Sequence, residues 1–214
     1  MPLTLLRHTL ADEALAGLRA RGTAPGTFRH LSRRIGLLLA AEATRELPRL
    51  DAMIETPLEV MHATRLGARV VAVPILRAGL GLLEPFLELA PETEVGYFGL
   101  ERDETTAVAR SYYQKLPARL AEAAVFVLDP MLATGGSAVA AISGLKALGA
   151  RDVRLLCVVA APEGIARLQR DHPDVPVIAG ALDRELNANG FILPGLGDFG
   201  DRLHGTLEPE PNEP

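Results

Sequence analysis

Short apolar runs alternate with longer stretches in which apolar residues recur at helical spacing. Runs at 70–76, 95–100, 124–128, 153–159 and 175–179 are nearly continuous in Val, Ile, Leu, Phe and Ala, the pattern of strands buried on both faces. Between them, 27–47 carries Phe28, Leu31, Ile35, Leu38 and Leu39 on one helical face, and 80–89 and 138–148 also read as helices. A further helix is expected from Pro162, with proline at the first helical position. Strands alternating with helices predict an α/β fold with a parallel central sheet flanked by helices. The stretch 102–117 is polar, charged and without a clear period, and is expected to be a mobile excursion. No internal repeat is visible. A single domain is expected over 1–207, followed by a disordered acidic tail at 208–214 (Glu-Pro-Glu-Pro-Asn-Glu-Pro beginning one residue after Leu207).

The 124–128 run ends on an acid and opens a loop: Asp129-Pro130-Met131-Leu132-Ala133-Thr134-Gly135-Gly136-Ser137. Adjacent glycines before a helix let backbone N–H groups converge on one point, and the Thr134 and Ser137 hydroxyls add donors, which makes an anion site. A carboxylate at the strand end suits a sugar diol, because it accepts from two neighbouring hydroxyls. Together they describe a cradle for ribose 5-phosphate. Strand–glycine loop–helix turns also occur without ligands, and this loop is neither a Walker A sequence nor a Gly-x-Gly-x-x-Gly fingerprint.

Two more motifs add to it. In Val73-Pro74-Ile75-Leu76-Arg77-Ala78-Gly79-Leu80-Gly81 a strand ends in Arg-Ala-Gly at a helix entry. Ligands of open parallel sheets sit outside the carboxyl ends of the strands, so Arg77 belongs on the edge that carries Asp129. A guanidinium there can chelate phosphate oxygens with two nitrogens. The segment from Asp183 to Arg202 contains four glycines and a proline, and is expected to be neither a helix nor a long strand. Such a segment can present backbone donors and acceptors to the edge of a flat heterocycle.

Composition narrows the class. The 214 residues are 48% hydrophobic, enough for a sizeable core. A net charge of −5 argues against a nonspecific nucleic-acid surface. No apolar run of membrane-spanning length and no signal-peptide layout is present, so no membrane partner and a cytoplasmic location are expected. Cys157 is the only cysteine and lies inside an apolar run, which suits a buried, inert thiol.

The chain resembles the uracil phosphoribosyltransferase family. The resemblance rests on 73–81 and 129–137, together with Tyr-Gln-Lys-Leu-Pro at 113–117, Ala-Ala-Pro-Glu-Gly-Ile at 160–165 and Pro-Gly-Leu-Gly-Asp at 194–198, and runs from about Phe28 to Thr206. It implies a type I phosphoribosyltransferase fold with a C-terminal base-binding loop. The implied reaction joins uracil to 5-phospho-α-D-ribose 1-diphosphate, giving UMP and pyrophosphate, as in pyrimidine salvage. Mg²⁺ is the implied cofactor, held through donor and water rather than by a direct protein ligand. By the same resemblance, residues 129–137 hold the ribose 5-phosphate, and Arg77, Arg102 and Asp198 contact the donor. Ile192, Gly197, Asp198 and Phe199 match the uracil-binding positions, with Arg77 and Asp198 the catalytic pair. A homodimer or homotetramer is implied, and GTP as an allosteric effector. Three departures stand out: Glu101 and Phe191 each replace a tyrosine, and Phe199 replaces a small residue, which bears on the pocket's volume.

The residue types suit this chemistry. Loss of pyrophosphate from ribose C1 passes through an oxocarbenium-like state whose leaving group gathers negative charge, which arginines stabilise. Uracil N1–H acidifies as attack proceeds, so no histidine base is required. His8, His30, His62, His172 and His204 lie outside or beside the motifs and read as structural or surface residues. Two alternatives stay open: a regulator on the same fold that binds pyrimidine nucleotide and RNA, and a phosphoribosyltransferase for another base.

Overall fold

The architecture is that of a computed structural model, which describes residues 3–102 and 109–206. Strand β1 (Leu3–Leu5) is followed by helices α1 (Thr9–Arg19) and α2 (Pro25–Thr44) and then by a hairpin of β2 (Arg49–Glu55) and β3 (Val60–Leu66). Next come β4 (Arg69–Leu76), α3 (Leu80–Leu89), β5 (Glu94–Val95), β6 (Tyr97–Arg102) and β7 (Ala109–Lys115). The second half runs β8 (Ala123–Leu128), β9 (Met131–Leu132), α4 (Gly136–Ala147), β10 (Asp152–Ala160), α5 (Pro162–Asp171) and β11 (Val177–Leu182). It closes with β12 (Glu185–Leu186), β13 (Ile192–Leu193) and α6 (Phe199–His204).

The main sheet has the order β1-β11-β10-β8-β4-β6-β7, with β5 beside β4 and β9 beside β10. Every pairing in it is parallel except β6–β7. Strand pleating sorts side chains onto two faces. Ala124, Phe126 and Leu128 of β8 join the core under α1, α2 and α3, whereas Val125 and Val127 join the core under α4 and α5. β8 is buried at all six positions, as its unbroken apolar run requires. Each large side chain buried this way contributes about 1.5–3 kcal/mol.

Local chemistry sets the helix ends. Pro25 and Pro162 stand at the first turns of α2 and α5, where the missing N–H has no partner to lose. Pro85 lies inside α3 and cannot donate to the carbonyl of Gly81; the buried Ser32 hydroxyl donates to that carbonyl instead, at 3.2 Å.

Three expectations are corrected. The 95–100 run is two strands, because the chain breaks at Gly96 between β5 and β6. The 102–117 stretch is not an excursion throughout: 109–115 is strand β7, antiparallel to β6 at the sheet edge, and the exposure of its residues 112–115 accounts for the missing apolar period. Residues 103–108 lie outside the described residues, as does the 208–214 tail. The 183–202 segment does contain a helix, the six-residue α6, preceded by the two-residue strands β12 and β13. Among the described residues no helix is long and apolar enough to cross a membrane.

Candidate active site

Strand β8 delivers Asp129 to the carboxyl edge of the sheet, half-buried, with Oδ1 3.5 Å from the Met131 N–H. The chain makes one short pairing to β10 as β9 and then turns into α4. Gly135 occupies the N-cap with φ +75°, a conformation that side chains rarely adopt. Among the described residues no side chain caps α4 and no acid stands in its first turn. Its first N–H groups therefore remain available to an anion, beside the Thr134 and Ser137 hydroxyls.

Arg77 follows β4 in a turn whose Leu76–Arg77 peptide is cis. The turn lies hard against the end of β8: a Cβ on Gly79 would stand 2.3 Å from the Leu128 carbonyl oxygen. Only glycine permits that approach, and it is what brings Arg77 beside the Asp129 loop. The Arg77 side chain is 60% exposed and its Nη2 lies 3.1 Å from Asp201 Oδ1 in α6.

The third motif forms the facing wall. Asn187 Oδ1 accepts from the N–H groups of Asn189 at 3.0 Å and Phe191 at 2.9 Å, shaping the β12–β13 turn. The loop then passes a cis Leu193–Pro194 peptide and reaches Asp198, whose Oδ1 caps α6 by accepting from Asp201 N–H at 2.8 Å. Ala78, Met131, Ala133, residues 189–192 and residues 197–200 enclose a cleft of about 360 Å³. Met131 and Ala133 also line the small hollow formed by Asp129 and residues 134–138. The base-sized cleft and the phosphate cradle are therefore contiguous.

All three motifs meet on one edge, as expected from the carboxyl ends of a parallel sheet. Asp129 to Ser137, Arg77, Ile192, Gly197, Asp198 and Phe199 are brought together. The backbone of Arg102 ends β6 on the same edge, three residues past Gly99, the register partner of Leu76. Two other clefts, of about 430 and 440 Å³, open at the opposite ends of the strands, near Arg69 and Asp152, and hold none of the motifs.

Phe199 borders the cleft but its ring does not fill it. The residue is 1% exposed, and its ring meets Phe28 edge-on at 5.2 Å between centroids. The substitution of a small residue by Phe is thus absorbed in the core between α2 and α6. Phe191, the other aromatic departure, is 52% exposed at the mouth of the cleft.

Sequence reasoning passed over Arg167. It lies on α5, and its Nη1 stands 3.4 Å from the point a Cβ on Gly136 would occupy. Its Nε lies 3.9 Å from Asp171 Oδ2, and its Nη1 beside the positive end of α4 adds to a field that favours an anion there. Its signal in the sequence was only an arginine five residues after Pro162. The histidines take supporting parts: His8 Nδ1 accepts from Leu10 N–H at 3.1 Å, and buried His172 lies 3.0 Å from the Ser143 hydroxyl. Cys157 is fully buried, and desolvation pushes its thiol well above the usual range.

Comparison with known proteins agrees with this geometry. The family model for uracil phosphoribosyltransferase matches residues 5–206. The uracil phosphoribosyltransferase of Acholeplasma laidlawii is 47% identical over 204 residues, covering 95% of this chain and 98% of that protein. That of Mesorhizobium japonicum is 49% identical over 205 residues, covering 95% and 98%. The solved AQ2163 protein from Aquifex aeolicus superposes with a TM-score of 0.90 at 34% identity, over 94% of this chain and 97% of that one. A hypoxanthine-guanine phosphoribosyltransferase from Bacillus anthracis, at 10% identity and a TM-score of 0.52 over 74% and 80% of the two chains, shares the fold alone. A parallel sheet with a phosphate cradle, an arginine turn and a glycine-rich base loop on one edge, matched over nearly its whole length, places the chain in the uracil phosphoribosyltransferase family.

Proposed function

We propose that the chain transfers the phosphoribosyl group of 5-phospho-α-D-ribose 1-diphosphate to uracil N1, releasing pyrophosphate. The observation that carries this reading is the continuity of the cradle at 129–137 with the cleft walled by 189–192 and 197–200, joined at Met131 and Ala133. The 5-phosphate takes the open N-terminus of α4, and Asp129 accepts from the ribose hydroxyls. The diphosphate lies toward Arg77 and Arg102.

During transfer the C1–N1 bond forms as the C1–O bond to pyrophosphate breaks. Arg77 and Arg102 stabilise the departing charge, and Asp198 faces the positive ribose. Backbone groups of Ile192 and Gly197 read the base: a C=O accepts from uracil N3–H and an N–H donates to O4. Cytosine reverses both, leaving buried groups unpaired, which a polar site rejects strongly.

Mg²⁺ fits this donor set as an ion carried by the substrate. Among the described residues no group of three or more His, Cys, Asp or Glu is placed to hold a metal. Mg²⁺ keeps several waters and would be held by the substrate's phosphates and hydroxyls, with Asp198 reaching it through those waters. When bound, it neutralises diphosphate charge and eases its departure.

The family match from 5 to 206 favours uracil over another base, and the net charge of −5 disfavours an RNA-binding regulator. The same reading includes assembly as a homodimer or homotetramer and response to GTP, supported by the family resemblance and open to sedimentation and to rate measurements with added GTP. The test of the whole is formation of UMP and pyrophosphate from uracil and donor with Mg²⁺, abolished by chelation.

A further inference from the structure

The base loop is held from behind by two arginines whose partners lie far away in sequence. Arg19, the last residue of α1, forks onto Asp183: Nη2 to Oδ1 at 2.6 Å and Nη1 to Oδ2 at 2.7 Å. The same Nη1 donates to the Gly195 carbonyl at 2.8 Å, while Asp183 Oδ2 accepts from the Gly195 N–H at 2.8 Å. Both backbone groups of Gly195 are thus tied to one ion pair. Arg202 completes the brace. Its Nη1 donates to the carbonyls of Leu196, at 2.7 Å, and Leu18, its Nη2 donates to Ala20 at 2.6 Å, and its guanidinium stacks on Phe28 at 4.6 Å.

This bonding divides the loop's polar groups. Gly195 and Leu196 are committed backward to α1, whereas among the described residues no acceptor bonds the Gly197 N–H, two residues on. Gly195 and Gly197 both have positive φ, +60° and +79°, so the loop has glycine freedom at two of its three central positions. A loop that selects a base through backbone atoms needs that freedom removed, since a group misplaced by about 1 Å can cost ~10²-fold in rate. Asp183 is 9% exposed, and a buried carboxylate is tolerated only when paired and fully hydrogen-bonded. The pair is therefore fixed in one geometry and transmits it to Gly195.

We propose that Arg19 and Asp183 are positioning residues for uracil: they do not touch the base, but fix the backbone of 195–196 and so set Gly197, which reads it. This rests on the assignment of the cleft walled by 189–192 and 197–200 to uracil. The proposal gives α1, which otherwise lies outside the site, a part in base selection.

The test compares Arg19→Met, Arg19→Lys and Asp183→Asn with the unaltered protein, and includes Gly197→Ala as a direct probe of the reading position. KM for uracil and for the donor, the uracil-to-cytosine ratio of kcat/KM, and amide hydrogen exchange over 192–198 are measured well below each variant's Tm. Expected is a rise in uracil KM of about tenfold in Arg19→Met, the size of one lost polar contact, with donor KM within about twofold. Exchange at 195–197 should quicken and the preference for uracil should fall. Arg19→Lys keeps the charge but not the fork, and should lie between. If Arg19→Met does not fold, Arg19→Lys and Asp183→Asn carry the same expectation in smaller measure. Unchanged uracil KM and unchanged exchange in folded variants, with Gly197→Ala impaired, would overturn the positioning role alone. An equal rise in both KM values would overturn it too, as general destabilisation. Unchanged uracil KM in Gly197→Ala as well would remove uracil from this cleft and take the proposal with it.

Discussion

Arg77 and Asp201 stand 3.1 Å apart across 124 residues of sequence, and this contact joins the turn after β4 to the helix after the base loop. The pair is open to solvent, with side-chain exposures of 60% and 32%, and such pairs contribute about 0–1 kcal/mol to stability. The contact therefore adds little to the fold, in keeping with the role proposed for Arg77 at the diphosphate. Arg77→Ala should lower kcat/KM for the donor by about 10²–10³ and leave Tm nearly unchanged. Lysine should restore only part, because it lacks the planar fork. Near-normal turnover at low donor concentration would take Arg77 out of the site.

The proposed reaction assigns Asp129 to the donor and not to the base. Asp129→Asn should weaken donor binding by about 1.5–3 kcal/mol, the cost of a charged hydrogen bond, with uracil KM almost unaltered. Calorimetric titration with the donor and with UMP reads this directly. An unchanged donor affinity would make Asp129 a residue of strand-end structure alone.

Arg167 makes a finer prediction. If its guanidinium meets the 5-phosphate beside Gly136, Arg167→Ala should weaken UMP about tenfold while leaving uridine, which has no phosphate, unchanged. Equal effects on nucleotide and nucleoside would place Arg167 outside the cradle.

Phe199 should behave as a core residue. Its ring is buried against Phe28, so Phe199→Ala should cost about 3–5 kcal/mol of stability by cavity formation. At temperatures where the variant is folded, the preference for uracil over cytosine should persist. Denaturant unfolding and kcat/KM for both bases, measured on the same preparation, separate the two effects. Lost discrimination in a folded variant would put the ring in the selection machinery.

Much of this is legible in the sequence. The strands β4, β8 and β10 are apolar on both faces, so their sequences are nearly continuous, and α3 begins and ends where its spacing says. The motifs also fell on one edge because parallel strands bring their carboxyl ends together. Polar or two-sided exposure hid other parts. β7 is an edge strand, and among the described residues the β2–β3 hairpin pairs with no other strand and exposes Leu50, Met53, Val60 and Met61, so neither gives a buried-face pattern. The direction of the Phe199 ring depends on α6, whose six residues are too short for a period to show. The Arg19–Asp183 pair spans 164 residues, and nothing local in either segment names its partner.

The central claim is that this cleft selects uracil as acceptor for an activated ribose 5-phosphate. The most direct test is the rate of pyrophosphate release from 5-phospho-α-D-ribose 1-diphosphate with Mg²⁺, measured separately with uracil, cytosine, hypoxanthine and orotate. The account predicts rapid release with uracil and rates lower by about 10⁴ or more with cytosine, the discrimination expected of a site whose buried groups must be paired. Equal or faster release with any of the other three bases, or no release with uracil, would contradict it.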